Sequence, residues 1–381
     1  SGDFNGFRPL LAEMISLTAQ KADCLSTGHE RYDALLDEYE PGATAAGIET
    51  VFCALRGPLM KLTADIAAQG RGAELPASTY PLFTQRQLCA ELVAAIGYDL
   101  QAGRIDETVH PFTIGIGPGD VRITTRYTED SPTPGLFGCL HEAGHALYDQ
   151  GLDSVYWGTP MGSAVSLGIH ESQSRLWENL VGRSAAFWRW AFPRAAAAFD
   201  GLRAVPESAF VRAVNGVRPG FVRVEADEVT YNLHVLLRFE LERSLFRGDL
   251  TVADLQGAWN EKMQAYLGLV PRHPGEGVLQ DVHWSAGLFG YFPTYTLGNL
   301  YAAQLFAAAD SAVGPLEEQF ARGEFGPLLD WLRKHVHLHG QRFTAEELIT
   351  RATGAPPSQE AFISYLTRKY TDLYALDKNR S

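Results

Sequence analysis

The sequence predicts a mainly α-helical fold with one small β element, and three observations predict it. Apolar residues recur at three-to-four spacing through most of the 381 positions, the period of a helix with one buried face. Residues 108–128, TVHPFTIGIGPGDVRITTRYT, are instead rich in Thr, Ile, Val and Gly with partial alternation, the mark of a short hairpin or small sheet. No repeat, low-complexity tract or clear linker interrupts the chain. That argues for one domain over 1–381, with an N-terminal helical part to about 107, a central part over about 108–300 and C-terminal helices over about 301–381.

Helical periodicity runs through 8–24, 29–39 and 46–69. GRGAELPASTYP then breaks the pattern, and 84–101 resumes it. A loop with Pro132, Pro134 and Gly135 separates the β segment from the next helix, which contains residues 141–145. The Gly-rich stretch GLDSVYWGTPMGSAVSLG leads to a long helix from about 169. Further helices are expected over 206–215, 221–247, 251–268, 297–323, 326–336, 343–353 and 357–376.

A net charge of −13 argues against nucleic acid or an anionic membrane as partner, because phosphate binding needs a basic surface. No run is long and uncharged enough to span a membrane, and the first twenty residues lack the layout of a secretory signal. Cys24, Cys53, Cys89 and Cys139 form no CxxC pair. They read as small buried hydrophobes in a reducing compartment, so a cytoplasmic protein is expected.

His141-Glu142-Ala143-Gly144-His145 is an HExxH motif. On a helix its two histidines lie one turn apart on one face. Both imidazoles then reach one metal ion, and Glu142 is placed to take a proton from water. A catalytic zinc site needs a third protein ligand. Positions 148 and 151 are Tyr and Gly, so the extension HExxHxxGxxH is absent. Glu171, in His170-Glu171-Ser172-Gln173 at the start of the following helix, is the expected ligand, with Glu178 two turns on as runner-up. Two His and one carboxylate suit Zn²⁺ and accept Co²⁺ or Mn²⁺.

Five ordered segments extend this reading: Asp120-Val-Arg122-Ile-Thr124, HEAGH at 141–145, HESQ at 170–173, Val222-Arg223-Val-Glu-Ala226-Asp227, and Gly277-Val-Leu-Gln280-Asp281-Val-His283-Trp284. Together they resemble the DxRxT, HExxH, HES/GQ, I/VRxxAD and GxxQDxHW signatures of the M32 metallocarboxypeptidases, the thermostable carboxypeptidase Taq family. The likeness runs from about residue 29 to near the C-terminus. The family's members are typically longer on the N-terminal side, which leaves substrate length limits and dimer contacts less defined than the metal site.

The resemblance implies a helical, cleft-bearing molecule similar to neurolysin and angiotensin-converting enzyme, a homodimer, and peptide substrates with a free C-terminus. It implies a metal held by His141, His145 and Glu171, with Glu142 as general base. Tyr295 is the first choice for donor to the oxyanion, with Tyr291 and Tyr231 behind it. Arg223 is expected to fork the substrate carboxylate, Asp227 four residues on being its expected helical partner; Arg122 is the weaker alternative, its motif reading mainly as structural. His283 is expected to line the cleft near the leaving residue or the substrate carboxylate, oriented by Gln280 and Asp281, and Asp281 is also a candidate acceptor behind a ligand imidazole. His170 is expected to donate to substrate; His110 is a weaker candidate. Two other uses stand beside carboxypeptidase: an endo-oligopeptidase or dipeptidase with the same site, and a non-catalytic helical binding protein.

Overall fold

A computed structural model describes residues 2–25, 30–70 and 72–376; Ser1 and the expected helix start at His29 lie outside the described residues. The chain is mainly helical. Its first elements are α1 (Phe4–Leu25), α2 (Arg31–Leu36), α3 (Ala45–Ala68), α4 (Leu82–Ala95), β1 (Ile105–Glu107), β2 (Thr113–Gly117), β3 (Asp120–Thr125) and α5 (Thr133–Gly151). There follow α6 (Leu167–Arg175), α7 (Ala185–Ala198), α8 (Glu207–Val214), α9 (Tyr231–Arg247), α10 (Leu255–Leu267) and α11 (Pro293–Val313). The last are α12 (Leu316–Phe320), α13 (Gly326–His335), α14 (Ala345–Thr353) and α15 (Glu360–Tyr374). Among the described residues no helix is long and apolar enough to cross a membrane.

Two compact units divide the chain: Ser1–Arg71 with Val217–Leu297 and Ile363–Ser381, and Gly72–Gly216 with Gly298–Phe362. In the first, Phe52 and Tyr32 set their rings edge-on to Phe239 of α9, and Trp259 meets Trp284 edge-on. Glu242 of α9 is buried at its centre, accepting from Tyr32 Oη and Trp284 Nε1 at 2.7 Å and from Gly290 N at 3.0 Å.

The second unit is built around α5, which packs against α4, α6 and the sheet. Leu136, Leu140, Ala143, Ala146 and Leu147 are fully or almost fully buried. The sheet has the order β1-β3-β2. β1 runs parallel to β3 with Ile105 opposite Ile123, and β2 runs antiparallel with Thr113 opposite Ile123. β1 lies just ahead of the Thr/Ile/Val-rich island, so its three residues carried no strand signal of their own.

Three expectations change. The helix foreseen over 221–247 begins at Tyr231. Asp227 stops it earlier by accepting from the backbone N–H of Val229 and Thr230, both at 3.0 Å, an aspartate competing for backbone donors ahead of a helix. The segment foreseen over 297–323 splits into α11 and α12 at Gly314-Pro315, where proline withholds an N–H and disfavours helix before it. Cys24 and Cys53 are exposed on α1 and α3, whereas Cys89 and Cys139 are buried as expected.

Candidate metal centre

α5 presents His141 and His145 one turn apart, their ring centroids 5.0 Å from each other. α6 supplies Glu171. Its N-cap is Ser166, whose hydroxyl accepts from Ile169 N at 3.0 Å, so Glu171 falls in the second helical turn rather than the first. Two glycines let the backbones come close enough. A Cβ on Gly144 would stand 2.5 Å from Gln173 O and 2.6 Å from Ser174 Cα. A Cβ on Gly298 of α11 would stand 2.6 Å from Glu171 Cγ.

Glu171 Oε2 lies 3.8 Å from His141 Nε2 and 3.4 Å from His145 Nε2, and one donor atom from each of the three residues falls within 4.8 Å of the others. Ligands about 2.0–2.1 Å from a tetrahedral ion sit about 3.3 Å apart, so both carboxylate-to-imidazole separations are near what one ion would need. Charge fits as well. Among the described residues, Glu142, Glu171, Glu178 and Asp149 pair with two guanidiniums in this cluster, Arg175 and Arg183. With neutral imidazoles the excess is two negative charges, which a divalent cation offsets.

Each ligand is held from behind. His141 Nδ1 bonds Glu178 Oε2 at 2.9 Å, so Glu178 backs a ligand instead of being one. His145 Nδ1 meets His170 Nδ1 at 2.5 Å, and His170 Nε2 meets Asp149 Oδ1 at 3.1 Å. Both ring nitrogens of His170 are thus engaged inside the unit. Arg175 Nε donates to Glu171 Oε1 at 2.7 Å and its Nη1 to Glu178 Oε2 at 3.3 Å. Arg183 donates to Glu178 Oε1 at 3.1 Å. Burial pushes the Glu171 carboxyl up, but Arg175 and then the two imidazoles outweigh it and hold it well below the carboxylate range. Glu178 behaves alike: its burial is overcome by the His141 hydrogen bond, Arg175 and Arg183. Burial lowers His141 too, yet Glu171 and Glu178 bring it above its ordinary value, whereas burial, with His170 and His141 beside it, keeps His145 below its own despite Glu171. A π-helical turn, Leu176–Val181, carries Glu178 directly after α6; such turns recur at functional sites.

Glu142 is buried beside the ligands. Its Oε2 accepts from Thr113 Oγ1 of β2 at 2.7 Å.

The first unit gathers the other expected residues. Arg223, on a 3₁₀ turn, is 4% exposed. It donates through Nε and Nη2 to Asp281 Oδ1 at 3.0 and 2.7 Å, and through Nη1 to Tyr231 Oη at 2.9 Å. Its guanidinium lies 4.7 Å from the centre of the Tyr295 ring, and Tyr295 Oη is 3.0 Å from His283 Nε2. Tyr291 packs against His283 and Tyr295. Asp281 therefore anchors Arg223 in the place assigned to Asp227, because the expected helix is absent there. Its second oxygen holds Arg238 at 2.7 Å, so Asp281 backs arginines, and the ligand imidazoles rest on Glu178 and His170 instead. Gln280 accepts from Arg223 N at 2.8 Å and donates to Phe221 O at 2.9 Å, fastening the arginine's segment rather than His283. Arg122 bonds Asp120 through two 2.8 Å contacts within β3.

Sequence reasoning passed over Asp149, Arg175, Arg238, Gly298 and Thr113. Asp149 and Arg175 each stand four residues past a ligand, His145 and Glu171, and that helical spacing was the available signal. Thr113 and Gly298 gave none, since each acts across elements.

A helical scaffold that brings two imidazoles, a carboxylate and an adjacent glutamate together is that of a metallohydrolase. The family model for carboxypeptidase Taq (M32) metallopeptidases matches residues 1–370. The chain is 54% identical to thermostable carboxypeptidase 1 of Thermus thermophilus over 98% of its length and 75% of that protein's. It is 40% identical to carboxypeptidase 1 of Bacillus subtilis, with the same two coverages. The crystal structure of the M32 carboxypeptidase from Deinococcus radiodurans superposes with a TM-score of 0.96 at 44% identity, over 98% of this chain and 76% of that one. The chain belongs to the carboxypeptidase Taq (M32) metallopeptidase family. It is a peptide hydrolase, a metallocarboxypeptidase.

Proposed function

We propose that the enzyme removes residues from the C-terminus of peptides with a Zn²⁺ ion, Co²⁺ or Mn²⁺ being able to replace it, held by His141, His145 and Glu171. The convergence of these three donors beside Glu142 carries the reading. When bound, such an ion acidifies water and polarises a carbonyl. Glu142 takes the proton of the attacking water and returns it to the departing amine. Glu178 and His170 fix the two imidazoles so that Nε2 of each stays available. Arg175 occupies Glu171 Oε1, while Oε2, which has the Ser174 hydroxyl at 3.2 Å, faces the two imidazoles and is the oxygen that would meet the ion.

Arg223 is the proposed receptor for the substrate carboxylate. Two of its five N–H groups are free of the bonds to Asp281 and Tyr231, enough for a carboxylate fork. Tyr295 is the proposed donor to the oxyanion, its hydroxyl bonded to His283; Tyr231, which accepts from Arg223, and Tyr291, which packs against Tyr295, are proposed substrate-binding residues. The reading also takes the enzyme as a cytoplasmic homodimer, with support from the family resemblance and the four free cysteines.

Three measurements test it. Chelation should abolish peptide hydrolysis and metal add-back restore it. Glu142→Gln should lower kcat by at least about 10³-fold; unchanged turnover would overturn the mechanism. A peptide with an amidated C-terminus should be cut far more slowly than its free acid, and equal rates would favour the endo-oligopeptidase alternative.

A further inference from the structure

The buried carboxylate of Glu142 has one hydrogen-bond donor among the described residues, and it comes from a strand. Thr113 Oγ1 lies 2.7 Å from Glu142 Oε2 and 2.9 Å from Glu142 O. A hydroxyl has one hydrogen to give. The main-chain oxygen sits inside α5, where the helix ladder already supplies a donor; the carboxylate oxygen is charged, and charge-assisted bonds are about twice as strong. The hydrogen therefore belongs on Oε2, which leaves Oε1 for water. Threonine is also stiff about χ1, so its hydroxyl direction follows from where the backbone of β2 lies.

That backbone is fastened at the same point. Thr124 of β3 donates its N–H to Phe112 O at 2.9 Å. Its hydroxyl accepts from Phe112 N at 2.8 Å and stands 3.0 Å from Phe112 O. Both polar groups of the residue preceding Thr113 are thereby tied to one side chain. Asp120 and Arg122, earlier on β3, pair with each other across one strand face. Within Asp120-Val-Arg122-Ile-Thr124, then, Thr124 is the residue that bonds both main-chain polar groups of Phe112, next to Thr113.

We propose that Thr113 is a positioning residue for the general base: its hydroxyl pins one oxygen of Glu142 so that the other meets water, and Thr124 holds Thr113 in register. The proposal rests on Glu142 being the base, and the experiment separates the two. Steady-state kinetics, with metal affinity by chelator competition, would be run on the metal-loaded T113V, T113A, T113S and E142Q proteins and on T113V/E142Q. T113V and T113A are expected to lose about tenfold in kcat, with KM and metal affinity within twofold of the parent, and T113S to recover most of the loss. In the E142Q background the T113V effect should vanish, the signature of two residues acting as one unit. Threonine variants with parental kcat would overturn the proposal, as would a T113V loss that persists in E142Q or a parallel loss of metal affinity. An active E142Q enzyme would instead refute the choice of base.

Discussion

His141 Nδ1 stands 2.9 Å from Glu178 Oε2, and the same oxygen takes a 3.3 Å contact from Arg175. This geometry requires the imidazole to keep its proton on Nδ1 and to offer Nε2 to the metal. Glu178→Gln keeps the shape but weakens the acceptor and leaves Arg175 and Arg183 short of a charge. Metal affinity is expected to fall about 10- to 100-fold, while kcat at saturating metal changes less. Competition with a chromophoric chelator measures it; unchanged affinity would mean that Glu178 does not set the ligand.

The other imidazole depends on a longer chain. For His145 to bind through Nε2, its Nδ1–H must donate to His170 Nδ1, and His170 then donates its Nε2–H to Asp149. Asp149→Asn introduces a second donor and no longer fixes the His170 tautomer. A loss of metal affinity, again of order tenfold, is expected in D149N, and a D149E variant able to reach His170 should recover part of it. If D149N binds metal like the parent, His170 does not orient His145.

Much of the second unit's site was legible because its signals are local. One-turn spacing puts His141 and His145 on one face whatever the rest of the chain does, and Glu171 announced itself as a carboxylate entering the next helix. Arg223, Tyr231, His283, Tyr291 and Tyr295 were named singly, and the structure links them through Arg223 and His283. What pairs with what was less legible. The Arg223–Asp227 pairing assumed a helix that Asp227 itself prevents, and the true partner is 58 positions away. Thr113 acts through strand register, and Gly144 through backbone contact with α6, neither of which has a sequence period.

Gly144 yields a prediction from contact alone. Alanine usually favours helix over glycine by about 1 kcal/mol, but here its methyl carbon would meet Gln173 O at 2.5 Å. α6 would have to move, and Glu171 with it. G144A is expected to lower the melting temperature and to cost metal affinity at least as much as E178Q does. Increased stability with normal metal binding would show that α6 yields without moving Glu171. G298A, whose methyl would meet Glu171 Cγ, should share the metal-binding defect.

Glu242 predicts how stability depends on pH. Burial pushes its carboxyl up to about 7, with Gly290 N, Tyr32 and Trp284 pulling the other way. The folded protein therefore holds this proton more tightly than the unfolded chain, whose carboxyl keeps the ordinary value of 4.5. A raised folded-state value gives stability that is complete below the unfolded value and is lost as pH climbs through about 7. The full loss is about 3 kcal/mol by linkage. Its direction is opposite to that of Glu171 and Glu178, which lie below their ordinary value and weaken the fold only in acid. Denaturant unfolding of the metal-loaded protein between pH 5 and 8 should show stability falling with pH. Glu242→Gln, an uncharged near-isostere of the protonated acid, should show a flatter profile. An E242Q profile as steep as the parent's would place the pH dependence on other groups and remove Glu242 from the account.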